Sequence, residues 1–291
     1  MSTLQFALLP HRSVIAVGGD DRVGFLQGLI SNDTTKATPG HAVWAALLTP
    51  QGRFLNDMFV VDASPGGDAG TLLLETERER AAALVKKLSL YKLRSKVTVE
   101  DRSAALDVAV VFGAAAGNAL PIDGTSAFVD PRLEGLGVRV LAPAGQAATL
   151  LAARGFVETS VDAYEALRLE AGVPDGSRDL KVEKALLLES GFDELNGVDW
   201  KKGCYMGQEL TARTKYRGLV KKRLFPVEVE GVLPPSGTSI HLDGEEVGEL
   251  RSGSGRRALA LLQIEAARGA GTLMADGIRV TPVIPTWMHL V

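Results

Sequence analysis

Beyond about Lys222 the chain becomes a run of short apolar segments separated by turn signals. Residues 224–229, 238–242, 245–250, 258–263 and 278–283 read as strands, and Pro234-Pro235, Asp243-Gly244 and residues 269–271 interrupt them. Short strands at this spacing, punctuated by Gly and Pro, predict a small β-barrel of about 70 residues. Residues 223–291 are therefore read as one domain and residues 1–222 as another region. The upstream region mixes strands and helices without regular βα alternation, so the class is α+β rather than a doubly wound sheet.

Local signals fill in the first region. Residues 12–17 read as a strand, and Gly18-Gly19-Asp20 turns into a helix near 21–30 with Asp20 as its N-cap. Strands 43–48 and 54–61 are joined by Thr49-Pro50-Gln51-Gly52, which has hairpin turn chemistry. Residues 64–70 read as a small-residue loop, and Thr76 with Glu79 as the capping box of a helix running to about Tyr91. Further strands are expected at 97–100, 106–112, 127–129 and 138–141, with helices at 146–154 and from Ser160 to Gly172.

One cysteine in 291 residues excludes an internal disulfide, a four-cysteine zinc site and a self-contained iron–sulfur cluster. The four histidines show no ligand spacing, so no dedicated metal site is expected. No signal peptide and no membrane span is read, which makes a soluble cytoplasmic protein the expectation. The net charge of −3 argues against a generic nucleic-acid coat, but it averages over opposites. Residues 201–223 hold eight basic residues and one acid, and residues 78–96 hold seven and one, which leaves −16 for the rest. Each run is either a solvated face or an anion site suited to a phosphate or a polyglutamate tail.

The lone thiol lies in the more basic run, in Lys201-Lys202-Gly203-Cys204-Tyr205-Met206-Gly207-Gln208-Glu209. A cysteine near a helix N-terminus with lysines beside it favours thiolate, which suits a nucleophile or a metal ligand. A buried structural cysteine is the alternative, made less natural by the flanking glycines and lysines. Glu170, in the last turn of its expected helix, opposes the macrodipole at a cost of about 0.3–1 kcal/mol, a weak pointer to a site.

The segment Lys202–Glu209, continuing to Ala212-Arg213, resembles the signature of the YgfZ-type folate-binding proteins. Supporting matches are Phe25-Leu26-Gln27-Gly28 with Asn32-Asp33, Gln51-Gly52-Arg53, Tyr91-Lys92-Leu93-Arg94-Ser95-Lys96-Val97, Arg168-Leu169-Glu170-Ala171-Gly172-Val173-Pro174, and Pro285-Thr286-Trp287. That family is similar to the T protein of the glycine cleavage system, an aminomethyltransferase. The resemblance implies a T-protein-like folate-binding fold, with two mixed α/β subdomains and a small C-terminal β-barrel around a central opening. It implies tetrahydrofolate or a derivative as cofactor, with Asp57, Glu170, Lys202 and Arg213 as binding residues. A carboxylate such as Glu170 suits a pterin because it accepts paired N–H donors.

Where the T protein has two adjacent aspartates, this chain has Asn56-Asp57, so one carboxylate of the transferase pair is missing. The resemblance further implies a folate-dependent accessory factor in iron–sulfur cluster assembly or repair. Cys204 would be its functional thiol and the single ligand this chain gives to a transient cluster shared with an A-type scaffold protein. The link to tRNA-modifying enzymes would be indirect, and the location cytoplasmic, or mitochondrial for eukaryotic relatives. Two other readings stay open: a folate-dependent aminomethyl or one-carbon transferase, and a protein that contacts tRNA through its basic runs.

Overall fold

The computed structural model describes residues 4–63, 70–218 and 220–290. Its strands, in chain order, are β1 (Gln5–Leu8), β2 (Arg12–Gly18), β3 (Val43–Leu48), β4 (Phe54–Asp62), β5 (Thr71–Glu77), β6 (Thr98–Asp101), β7 (Leu106–Phe112), β8 (Ser126–Val129), β9 (Val138–Pro143), β10 (Val157–Glu158), β11 (Lys222–Val229), β12 (Ser239–Leu242), β13 (Glu245–Ser254), β14 (Arg257–Gln263), β15 (Leu273–Ala275) and β16 (Ile278–Pro282). The helices are α1 (Arg22–Gln27), α2 (Arg78–Tyr91), α3 (Ala147–Ala153), α4 (Val161–Ala171), α5 (Gly176–Asp179), α6 (Gln208–Tyr216) and α7 (Ile264–Arg268). They group into two compact units. Unit 1 comprises Met1–Leu48, Leu55–Tyr164 and Asn196–Met206; unit 2 comprises Thr49–Phe54, Glu165–Leu195 and Gly207–Val291.

Unit 1 holds two five-stranded sheets, ordered β10-β1-β7-β9-β8 and β3-β4-β5-β2-β6. The strands form because their apolar residues run almost unbroken, as in Val-Trp-Ala-Ala-Leu-Leu of β3, every residue of which is buried. Helix α2 covers β2 and β6 with Ala81, Leu84 and Leu88, an i, i+3, i+7 stripe. Helix α3 sets Ala147 and Leu151 into the core of the other sheet, against Phe6, Val111 and Val140.

A chain of buried charges links strands of the two sheets. Glu75 on β5 accepts from Arg12 at 2.8 Å and from Arg139 at 2.5 Å. Asp130 accepts from Arg139 at 3.1 Å and from Arg132 at 2.7 Å. Phe59 lies under Arg132 at 4.8 Å and Arg139 at 4.2 Å, so the guanidinium faces bury against an aromatic ring. Burial raises the Asp130 carboxyl, but Arg132 and Arg139 more than reverse this and hold it below the ordinary range.

Unit 2 contains a closed barrel, β11-β14-β13-β12-β15-β16, in which β16 pairs back to β11. Inward residues Phe225, Val227, Ile240, Leu250, Ala260, Leu262 and Val280 fill it. Arg168 of α4, almost wholly buried, donates to Glu165, Asp179, the Val173 carbonyl and Ser252 Oγ, and so ties α4 and α5 to β13.

The structure corrects several expectations. Thr76 is no cap: it lies inside β5, its hydroxyl donating to the Asp57 carbonyl at 2.9 Å, and Glu77 occupies the N-cap of α2. The N-cap of α1 is Asp21 rather than Asp20, and its carboxylate accepts from the Lys96 backbone N–H at 2.7 Å. The barrel has a sixth strand, β15, and the helix α7. Most of the expected loop at 64–70 lies outside the described residues.

Candidate functional site

Residues 197–206 have no regular structure, so their backbone groups are satisfied by a cradle built from the segment after α1. Ser31 Oγ donates to the Gly197 carbonyl at 2.6 Å, and the Ser31 carbonyl accepts from Asp199 N–H at 3.0 Å. Asn32 Nδ2 bridges the carbonyls of Trp44 and Asn196, each at 2.7 Å. The Gln27 amide donates to the Lys202 carbonyl at 3.2 Å and to Asp33 Oδ1 at 3.0 Å, while its oxygen accepts from the Thr34 N–H and hydroxyl. The Gly28 carbonyl receives Met206 N–H at 3.0 Å, and Lys36 pairs with Asp199 at 2.5 Å.

This cradle decides which side chains turn in and which turn out. Lys202 turns in, donating to the carbonyls of Gln27 at 2.7 Å and Ile30 at 2.5 Å and lying 5.1 Å from the ring of the buried Tyr205. Between these two anchors, Gly203 takes φ +90, a left-handed conformation with open space beside it, and Cys204 is exposed. The thiol therefore sits at the outer corner of a loop whose neighbours are pinned inward. Burial pulls the Lys202 ammonium down to about 8, against the pull of Asp33 and Asp199. Burial raises the Asp199 carboxyl, but Lys36 and the N–H groups of Lys201 and Lys202 outweigh it and leave the group below its usual range.

Helix α6 begins only at Gln208, with Gly207 at its N-cap, and Lys202 is committed to carbonyls and a ring. The thiol thus lies a few residues before the helix start, as expected near a helix N-terminus, on an exposed loop corner, and of the two lysines beside it Lys202 is turned inward. In unit 2, Gly52 at φ +81 leaves room for the α6 N-terminus: a Cβ there would lie 2.6 Å from Leu210 and 2.8 Å from the Gly207 carbonyl. That close approach explains the glycine of Gln51-Gly52-Arg53.

A cavity of about 510 Å³ adjoins the loop, lined by Asn32, Lys36, His41, Trp44, Asn196, Asp199, Trp200 and Lys201 among others. That volume is in the range of small-molecule sites. Asp57 connects to it indirectly: the carboxylate is buried and accepts from the Trp44 indole N–H at 3.1 Å. Its neighbour Asn56 is also buried, and Asn56 Nδ2 has no hydrogen-bond partner among the described residues.

Glu170 and Arg213 belong to unit 2. Glu170 is exposed and 3.4 Å from Arg257 of β14, and Arg213 is exposed on α6. Of the basic run at 201–223, Lys202 is turned inward, Lys215 pairs with Asp193 at 2.6 Å, and Arg223 pairs with Glu194 at 2.8 Å. The cradle roles of Gln27 and Asn32 had only a motif match to signal them, and that of Ser31 had no signal.

Residues 221–290 match a family described as the CAF17 C-terminal beta-barrel domain. Over the whole length, the chain is 37% identical to the mitochondrial iron–sulfur cluster assembly factor IBA57 of Mus musculus, covering 96% of this chain and 84% of that protein. It is 36% identical to the Homo sapiens IBA57 over the same shares. The chain belongs to the IBA57 iron–sulfur cluster assembly factor family. Among solved structures it is similar to the glycine cleavage system aminomethyltransferase T from Bartonella henselae, with TM-score 0.78, 16% identity, and coverage of 98% of this chain and 86% of that one. The expected T-protein-like fold, α+β with a terminal barrel, is therefore the fold observed. The family match is to IBA57, a relation of the YgfZ-type proteins named from the motif. No helix among the described residues is long and apolar enough to cross a membrane.

Proposed function

We propose that this IBA57-family chain acts in iron–sulfur cluster assembly or repair, offering Cys204 as one ligand of a transient cluster shared with an A-type scaffold protein. The observation that carries the reading is the geometry of the loop: Lys202 and Tyr205 are pinned inward and the thiol is left outermost. One thiolate cannot complete a cluster, so the remaining ligands come from the partner. The link to tRNA modification is then indirect, through enzymes that need clusters. The division at residues 222/223, YgfZ-type kinship, and a location in cytoplasm or mitochondrial matrix complete the proposal.

Tetrahydrofolate or a derivative is proposed as cofactor. The buried Asn56 Nδ2, unpartnered among the described residues, is a donor that a pterin carbonyl would satisfy. Asp57 is the contact proposed in unit 1; Lys202, whose ammonium is turned onto backbone carbonyls, and Glu170 and Arg213, in unit 2, are proposed from the resemblance alone. Bound folate would supply a one-carbon carrier, while Trp44 holds the Asp57 carboxylate in place. Aminomethyl transfer is the lesser reading, because amide Asn56 replaces one carboxylate of the transferase pair.

Complementation tests the function. Cys204→Ala in a strain lacking this protein should leave cluster-dependent enzymes deficient, with the variant present at wild-type level. Full restoration by Cys204→Ala would end the thiol reading.

A further inference from the structure

We propose that the corner formed by Leu90 and Leu93, at the end of α2, is the docking surface for an acidic partner protein that meets Cys204. This rests on the reading of Cys204 as a group offered to a partner. The core stripe of α2 is Ala81, Leu84 and Leu88, yet Leu90 is 66% and Leu93 86% exposed. Leu93 also has φ +40, where glycine or asparagine is favoured, so neither burial nor backbone preference accounts for a leucine. Residues that violate both local rules cluster at functional surfaces.

The backbone that displays it is fixed. Lys92 N–H donates to the Leu88 carbonyl at 3.1 Å, Ser95 N–H to the Lys92 carbonyl at 2.7 Å, and Lys96 N–H to Asp21 at 2.7 Å. A fixed, shaped apolar corner suits a protein pocket, whereas a fluid lipid surface requires no such backbone. Around it, Lys86, Lys87 and Arg94 form no ion pair among the described residues, so the complementary rim is carboxylate.

Within unit 1 the corner and the cysteine loop are anchored at the two ends of the same short helix, α1. Asp21, which holds the Leu93 turn through Lys96, caps α1, and the far end of α1 holds the cysteine loop through Gln27 and Gly28. The anchoring residues at the two ends of α1 are six helical residues apart, about 9 Å of rise. A partner that docks on the corner is thereby placed on the same α1 frame that holds the cysteine loop.

The test uses the full chain and a purified A-type scaffold protein as probe, with binding measured at low and high salt. Leu93→Gly should weaken binding at least tenfold without lowering the melting temperature, because glycine suits the left-handed backbone. Lys86→Glu with Arg94→Glu should weaken binding and flatten its salt dependence. Equal affinity of Leu93→Gly and wild type would overturn the docking surface while leaving the Cys204 reading to its own complementation test. If the scaffold fails to bind wild type, the partner reading falls and the surface with it. Binding of wild type to anionic vesicles, or concentration-dependent self-association, that Leu93→Gly abolishes would assign the corner to lipid or to a second copy and refute the proposal.

Discussion

Lys202→Met removes the ammonium that anchors the cysteine loop while keeping an unbranched apolar stem, and its effect should depend on pH in a defined direction. In the folded protein burial brings the Lys202 pKa to about 8, against 10.5 unperturbed. Below pH 8 the group is protonated in both folded and unfolded chains, so its desolvation penalty is present in full. Between pH 8 and 10.5 the unfolded chain holds the extra proton, so the wild type gains stability relative to Lys202→Met as pH rises. A shift of that size corresponds to about 3.4 kcal/mol for a fully desolvated group. Lys202 is only partly buried, so water screens the charge and about half, ~1.5–2 kcal/mol, is expected. Urea unfolding of both proteins at pH 7 and pH 10 measures most of it, since pH 10 stops short of 10.5: the stability difference should move in favour of wild type by about 1–1.5 kcal/mol. Parallel stabilities across the range, or a drift in favour of methionine, would refute the burial argument.

Other consequences follow from the same contacts. Gln27→Ala deletes four hydrogen bonds of the cradle and should cost about 2–3 kcal/mol, with faster amide exchange at 199–206; unchanged exchange there would contradict the cradle. Gly203→Ala meets no atom but must hold φ +90, so a cost of about 1–2 kcal/mol is expected, with an altered alkylation rate at Cys204. Glu75→Gln leaves Arg12 and Arg139 without their shared carboxylate and should destabilise by about 3–5 kcal/mol in denaturant melts, whereas a loss under 1 kcal/mol would show the buried charges to be dispensable.

Much of the fold was legible because its strands are apolar runs bounded by Gly and Pro; β3 and β7 match their expected spans residue for residue. Thr76 misled because a Thr-x-x-Glu pattern looks the same whether its hydroxyl caps a helix or bonds across a sheet to Asp57. The three-residue β15 is too short to show a period. At the site, the sequence singled out Cys204 and its neighbours by composition. It did not show that Lys202 turns inward, since the carbonyls of Gln27 and Ile30 lie more than 170 positions away in the chain. The buried arginines were hidden for a like reason: Arg139 interrupts an apolar strand, and its partners Glu75 and Asp130 come from separate strands and turns.

The central claim is that the outward thiol of Cys204 ligates a cluster together with a partner. It is tested most directly by mixing the purified chain anaerobically with a cluster-carrying A-type scaffold protein, with and without tetrahydrofolate, and following the cluster by visible circular dichroism and Mössbauer spectroscopy. A changed cluster spectrum that depends on both proteins and disappears with Cys204→Ala is the expected result. The same spectrum from wild type and Cys204→Ala would contradict the account.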